Sequence, residues 1–167
     1  MGSKRVGLAR IQALINENAR QMKFRANQVV HVNQTATTLT ESQSGDTIFW
    51  THGSTHNITL PSATPGMNFK IILTVGSAHS QKIAAASGDG FYGKVHVVKS
   101  GASDKNATQT VVKGSATDYI SLHNGTTTLG GNAGDVIEIV CLSAGYWVVD
   151  ARLSSTGNPG STAVLTD

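Results

Sequence analysis

A chain of 167 residues with 18 glycines, 14% charged and 5% aromatic residues is long enough to bury one core of its own, and its single cysteine excludes an internal disulfide. No apolar run approaches the ~18 residues of a membrane span, and a formal charge of +3 is small for a protein that coats nucleic acid. All of that excess is N-terminal: residues 1–25 hold six Lys/Arg against one Glu, leaving seven against nine in the remainder.

Met1–Lys4 reads as an arm, and Arg5 to about Lys23 as an amphipathic helix. Leu8, Ile11, Ile15, Ala19 and Met22 recur at three- and four-residue steps, Leu14 widens the stripe, and Arg10, Asn16, Glu17 and Arg20 fall elsewhere on the wheel. Gly7, Asn16 and Asn18 are poor helix formers, so a helix of this length is marginal alone and needs something to cover its stripe. The segment lacks the 7–15-residue apolar core of a signal peptide, so the chain is expected to stay in the cytoplasm where it is made.

From Val29 onward the pattern is β. Runs at Val29–Val32, Thr35–Thr40, Thr47–Trp50, Asn57–Leu60, Asn68–Val75, Lys82–Ala85, Phe91–Val98, Thr108–Val112, Tyr119–His123, Asp135–Leu142 and Tyr146–Arg152 are separated by Gly, Pro, Ser and Asn clusters. Leu60-Pro61 ends a strand because proline removes a ladder donor, and Pro65-Gly66 supplies a turn. The clearest pair is Val136–Leu142 and Trp147–Val149 around Ser143-Ala144-Gly145, a core hairpin in which Cys141 reads as a small buried hydrophobe. Spacings of 8–12 residues predict a mainly β fold, an antiparallel β-sandwich or jelly-roll-like domain of about ten strands with one N-terminal amphipathic helix. The domains expected are 1–25, a basic amphipathic helix or arm; 26–152, the β-sandwich; and 153–167, an extended C-terminal arm suited to a neighbouring subunit. No repeat of 20 to 50 residues stands out, so a solenoid or fibre shaft is not expected.

Chemistry is sparse. His52 and His56 are four apart, a spacing that aligns two metal ligands on a helix, but Gly53 and its neighbours make a loop, and no Cys or Glu completes a zinc pattern. His31, His79, His96 and His123 are scattered. Asp89, Asp118, Asp135 and Glu138 stand beside turn residues, where a carboxylate caps local N–H groups, rather than as a glycosidase pair. No catalytic residue, cofactor or metal is expected.

The spacing T-L-P-x-A-x-x-G-x-x-F over 59–69, then K-I-x-x-x-x-G-D-G-F-Y-G over 82–93 and G-D-V-I-E-I-V-C-L-x-x-G-Y-W-V-V over 134–149, resembles a β module of bacteriophage virion proteins found in tail fibres and head decoration proteins. That resemblance covers Val29 to Ala151. The opening K-R-V-G-L-A-R-I-Q-A-L-I-N-E-N is similar, over about 20 residues, to the N-terminal arm of structural proteins of marine cyanobacterial phages. The resemblance implies a non-enzymatic part of the virion, usually a homotrimer. Combined with the basic helix, it leads to the expectation of a capsid decoration or cement protein on the outer surface of a phage head. Its partners would be itself and the major capsid protein or another virion protein, with no small-molecule substrate, membrane or nucleic acid. The residues expected to bind the capsid or a neighbouring subunit are Lys4, Arg5, Leu8, Arg10, Ile11, Leu14, Ile15, Arg20, Met22 and Lys23. The alternative is a receptor-binding tail-fibre or knob head that grips host-surface glycan. That reading calls for a preceding shaft and exposed stacking aromatics, whereas Trp50 and Trp147 both lie inside β runs.

Overall fold

The computed structural model describes residues 7, 10–18, 29–76, 81–99, 106–111, 118–122, 130–155 and 165–166. Residues 10–18 are helical. Among the described residues twelve strands follow: β1 (Val29–Val32), β2 (Ala36–Thr38), β3 (Thr47–Trp50), β4 (His56–Thr59), β5 (Asn68–Leu73), β6 (Gln81–Ala84), β7 (Gly90–Lys99), β8 (Asn106–Val111), β9 (Tyr119–Leu122), β10 (Val136–Ser143), β11 (Tyr146–Ser155) and β12 (Leu165–Thr166). The chain is mainly β, and each of the eleven runs read from the sequence overlaps a strand. The twelfth, in the C-terminal tail, pairs with β9 of the same chain through Leu165 and Ile120.

The strands form two mixed sheets, ordered β1-β3-β5-β10-β11-β7-β8 and β12-β9-β6-β4-β2. The expected all-antiparallel arrangement is therefore corrected. β1–β3, β3–β5, β7–β11, β2–β4 and β4–β6 are parallel pairs, whereas β5–β10, β10–β11, β6–β9, β9–β12 and β7–β8 are antiparallel. The cause is how the turns are used. Gly, Pro and Ser clusters mark a change of direction, but they do not distinguish a hairpin from an arch that carries the chain into the other sheet. Up to β6 every connection is an arch, so strands two apart in sequence run the same way and stack as successive coils.

The coils are closed by backbone bonds that continue each ladder beyond its strand. The Thr51 and Thr74 amides donate to the carbonyls of Val32 and Trp50 at 3.0 Å each, and the two threonine hydroxyls repeat the contact at 3.0 and 2.9 Å. Trp50 and Leu73 are register partners, a step of 23 residues. The same step relates T-H-G-S-T-H at 51–56 to T-V-G-S-A-H at 74–79, so the sequence does contain a short internal repeat where none was expected.

Inward-facing residues of both sheets, among them Ile48, Trp50, Phe69, Ile71, Ile139 and Trp147 from the larger and Ile58, Ile83 and Ile120 from the smaller, belong to one buried hydrophobic cluster. β10 and β11 supply Ile137, Ile139, Cys141, Trp147, Val149, Ala151 and Leu153 by strict alternation. Buried Asp135 fastens the end of this hairpin. Its carboxylate accepts from the Gly131 and Asn132 amides at 2.9 Å each and from the Ser154 amide and hydroxyl at 2.9 and 2.7 Å. This is the capping role that its turn context implied.

β7 meets β11 at a point where only glycine fits. Gly93 has φ 135°, and a Cβ there would lie 2.1 Å from the Val149 carbonyl oxygen. Both the backbone conformation and the clearance forbid a side chain. Gly93→Ala is expected to cost roughly 2–4 kcal/mol in a urea titration followed by tryptophan fluorescence. Gly53→Ala, whose added carbon would meet nothing closer than 3.9 Å, should stay within about 0.5 kcal/mol of the parent.

Candidate functional site

Two places hold residues that the closed β core does not account for. The first lies at one end of the coil. Trp50 closes β3 facing inward, residues 51–55 cross to the other sheet, and His56 opens β4, also facing inward. Parallel register sets Gln81, the first residue of β6, beside His56.

The three side chains are buried, with relative exposures of 1% for Trp50, 0% for His56 and 1% for Gln81. The Gln81 amide nitrogen donates to the carbonyls of His52 at 2.6 Å and Ser54 at 3.2 Å, pinning the 51–55 crossing onto β6. The rest of the polar inventory is unspent. Trp50 Nε1, both ring nitrogens of His56 and Gln81 Oε1 have no hydrogen-bond partner among the described residues. An unpaired buried polar group costs about 1–3 kcal/mol, so four at one spot mark a local departure from what stability alone would select.

Ring contacts hold His56 in place. Trp50 meets it edge-on with centroids 5.1 Å apart, and the His52 ring stands 5.3 Å away, tilted by 43°. His52 is half-buried, with its Nδ1 3.3 Å from both the amide nitrogen and the carbonyl oxygen of Ser54, so the tautomer decides whether it accepts or donates. Burial, and secondarily the charge of His52, lowers the His56 pKa from its usual 6.5 to about 4, so His56 is neutral at neutral pH.

The second place is the N-terminal helix. Arg10, Ile11, Leu14 and Ile15 lie within helical residues 10–18, every one of which is exposed, the apolar Ile11, Leu14 and Ile15 by 58%, 58% and 55%. Lys4, Arg5, Leu8, Arg20, Met22 and Lys23 lie outside the described residues. The β core does not cover this part of the stripe.

Other expected features fall as follows. Cys141 is fully buried; its thiol donates to the Ser143 carbonyl at 3.3 Å, and burial pushes its pKa up. On the solvent face of the larger sheet, register brings Glu138 opposite Lys70 and Asp150, a pairing of carboxylates invisible in the chain order. Lys70 Nζ bonds Glu138 at 3.1 Å with both side chains about half exposed, and Arg152 and Val136 complete a shallow hollow of about 140 Å³. Such an open ion pair contributes at most about 1 kcal/mol. Among the described residues no three His, Cys, Asp or Glu side chains are grouped to hold a metal ion, and no described helix is long and apolar enough to cross a membrane. Gln81 is the site residue that sequence reasoning missed. Only parallel register across 25 positions brings it beside His56, and no local spacing signals that.

Comparison with protein-family models, with curated proteins and with solved structures finds no match for this chain.

The buried imidazole sets a pH dependence. In the unfolded chain His56 takes up a proton near pH 6.5, but in the folded chain only near pH 4. The unfolded state thus binds more protons in that interval, and the stability present above pH 6.5 is lost as the pH falls to 4, by up to about 3 kcal/mol. Denaturant titrations at half-unit pH steps with chelator present should show this loss, and His56→Gln should remove that part of the slope.

Proposed function

We propose that this protein is a non-enzymatic structural component of a phage particle, a decoration or cement subunit that attaches as a homotrimer to the outer surface of the head. In this reading the two sheets are the layers of a jelly-roll-like sandwich, and the single hydrophobic cluster drawn from both supports that layering. The observation that carries the functional reading is the exposed apolar stripe Ile11, Leu14 and Ile15, set on the basic segment of a chain whose β strands bury a separate core of their own. A helix with such a stripe is stable only when the stripe is covered. Burying three such side chains at ~1.5–3 kcal/mol each supports firm attachment before ordering costs are subtracted. Arg10, with Lys4, Arg5, Arg20 and Lys23, would steer and register the contact more than hold it. The capsid protein and neighbouring copies of the chain are the partners in this reading.

One observation favours the alternative of a glycan-gripping fibre head. Tyr92 and Tyr146 stand 6.3 Å apart, near perpendicular, on the solvent face of β7 and β11, the sheet face that also carries Leu142, 66% exposed. Half-exposed tyrosines beside apolar surface suit stacking on a sugar ring. Against it, both tryptophans are buried and unavailable for stacking.

Replacing Ile11, Leu14 and Ile15 together by Ser separates these readings. Light scattering should give three times the 17.4 kDa chain mass for parent and variant, and the melting temperature should move by no more than ~3 °C because exposed substitutions change stability little. Binding to isolated heads that lack the subunit should be lost. Loss of the trimer would assign the helix to internal assembly. Retained head binding, or binding to host polysaccharide that Tyr92→Ala abolishes, would overturn the decoration reading.

A further inference from the structure

We propose that His52, His56 and the Gln81 side-chain carbonyl form a binding site for one divalent transition-metal ion of the zinc, cobalt or nickel kind. This inference is independent of the role on a phage particle and stands on the geometry at the 51–56 end of the coil.

The His52 and His56 ring centroids lie 5.3 Å apart. Two imidazoles bound through nitrogen at about 2.0–2.1 Å to one tetrahedral ion place their centroids roughly 5 Å apart. The spacing that would align ligands on a helix is met here without one, because residues 53–55 arch back and bring the two rings together. His56 is 0% exposed with neither ring nitrogen partnered among the described residues, so a nitrogen is available whichever tautomer it adopts. A neutral imidazole is the ligating form, and burial keeps His56 neutral down to about pH 4.

The surroundings match what holds ligands in metal sites. With its proton on Nδ1, His52 donates to the Ser54 carbonyl 3.3 Å away, the kind of backbone acceptor that fixes a metal-bound histidine in one tautomer and leaves Nε2 to coordinate. Gln81 is anchored through its amide nitrogen to two carbonyls of the same crossing, so its Oε1, unpartnered among the described residues, is held rather than free to rotate. An amide oxygen supplies a third, neutral ligand where a carboxylate would be more usual. Nitrogen-rich, soft-to-borderline donors of this set select zinc, cobalt, nickel or copper over calcium or magnesium. With no carboxylate ligand to offset the ion's charge, affinity should be moderate. The ion would clamp the 51–55 crossing and β4 to β6, a structural task that needs no substrate access.

The test uses the full chain, stripped with chelator and titrated with ZnCl2 and CoCl2. One equivalent of Co2+ should give the visible absorption of a tetrahedral site, and Zn2+ at about 100 times its dissociation constant should raise the melting temperature by ~5 °C or more. His52→Asn, a change at a half-buried loop position, should fold with a nearly unchanged metal-free melting temperature yet lose both signals. His31→Asn, at an exposed position of β1, should keep them. A folded parent chain that shows neither signal would overturn the proposal. So would an ion that binds His52→Asn as well as the parent, since that ion sits elsewhere on the surface.

Discussion

The β10–β11 hairpin is the element on which the larger sheet depends. It sits in the middle of the strand order, with β10 bonded to β5 over five residue pairs and β11 to β7 over ten. Without it the coil β1-β3-β5 and the pair β7-β8 would share no ladder. Its seven inward side chains, from Ile137 to Leu153, are all buried, at ~1.5–3 kcal/mol for each large apolar residue. Three local features keep its register: the Ala144-Gly145 turn with Gly145 at φ 79°, the Asp135 carboxylate with its four donors, and the bare backbone of Gly93 against Val149.

Most strands were legible in the sequence because alternation is a local signal. Val29–Val32 and Thr47–Trp50 could be bounded from sequence alone, and the hairpin at Val136–Val149 announced itself through two apolar alternations around a short Gly-ended turn. Strand direction was not legible. Thr51–Thr55 and Leu60–Met67 carry the punctuation of hairpins, yet they arch between sheets, and that choice is made by non-local pairing, not by the turn residues. The 23-residue echo of T-x-G-S-x-H was within reach, since it needs only the sequence, but two copies of a six-residue pattern gain meaning only once Trp50 and Leu73 are known to be stacked.

The candidate sites divide along the same line. Ile11, Leu14 and Ile15 were legible as a helix stripe because helical period is local too, and the structure adds that all three are exposed. Gln81 was not legible, because its partnership with His56 arises from parallel register. The loop reading holds for His52 within residues 51–55, whereas His56 opens β4, and the arch brings the two ring centroids to 5.3 Å. The two places answer different needs. One end of the coil concentrates unspent polar atoms inside the protein, while the N-terminal helix concentrates unspent apolar surface outside it, on the segment that holds the chain's excess positive charge.

The central proposal is that helical residues 10–18, whose apolar side chains are exposed in the free chain, become covered on the particle. Hydrogen–deuterium exchange, comparing purified protein with protein bound to isolated heads, tests this most directly. A short exposed helix exchanges quickly. The amides of residues 10–18 should therefore exchange within seconds in the free protein and slow by at least about 100-fold on heads, while those of β10 and β11 stay protected in both. Strong protection of residues 10–18 already in the free protein, or rapid exchange on heads, would contradict it.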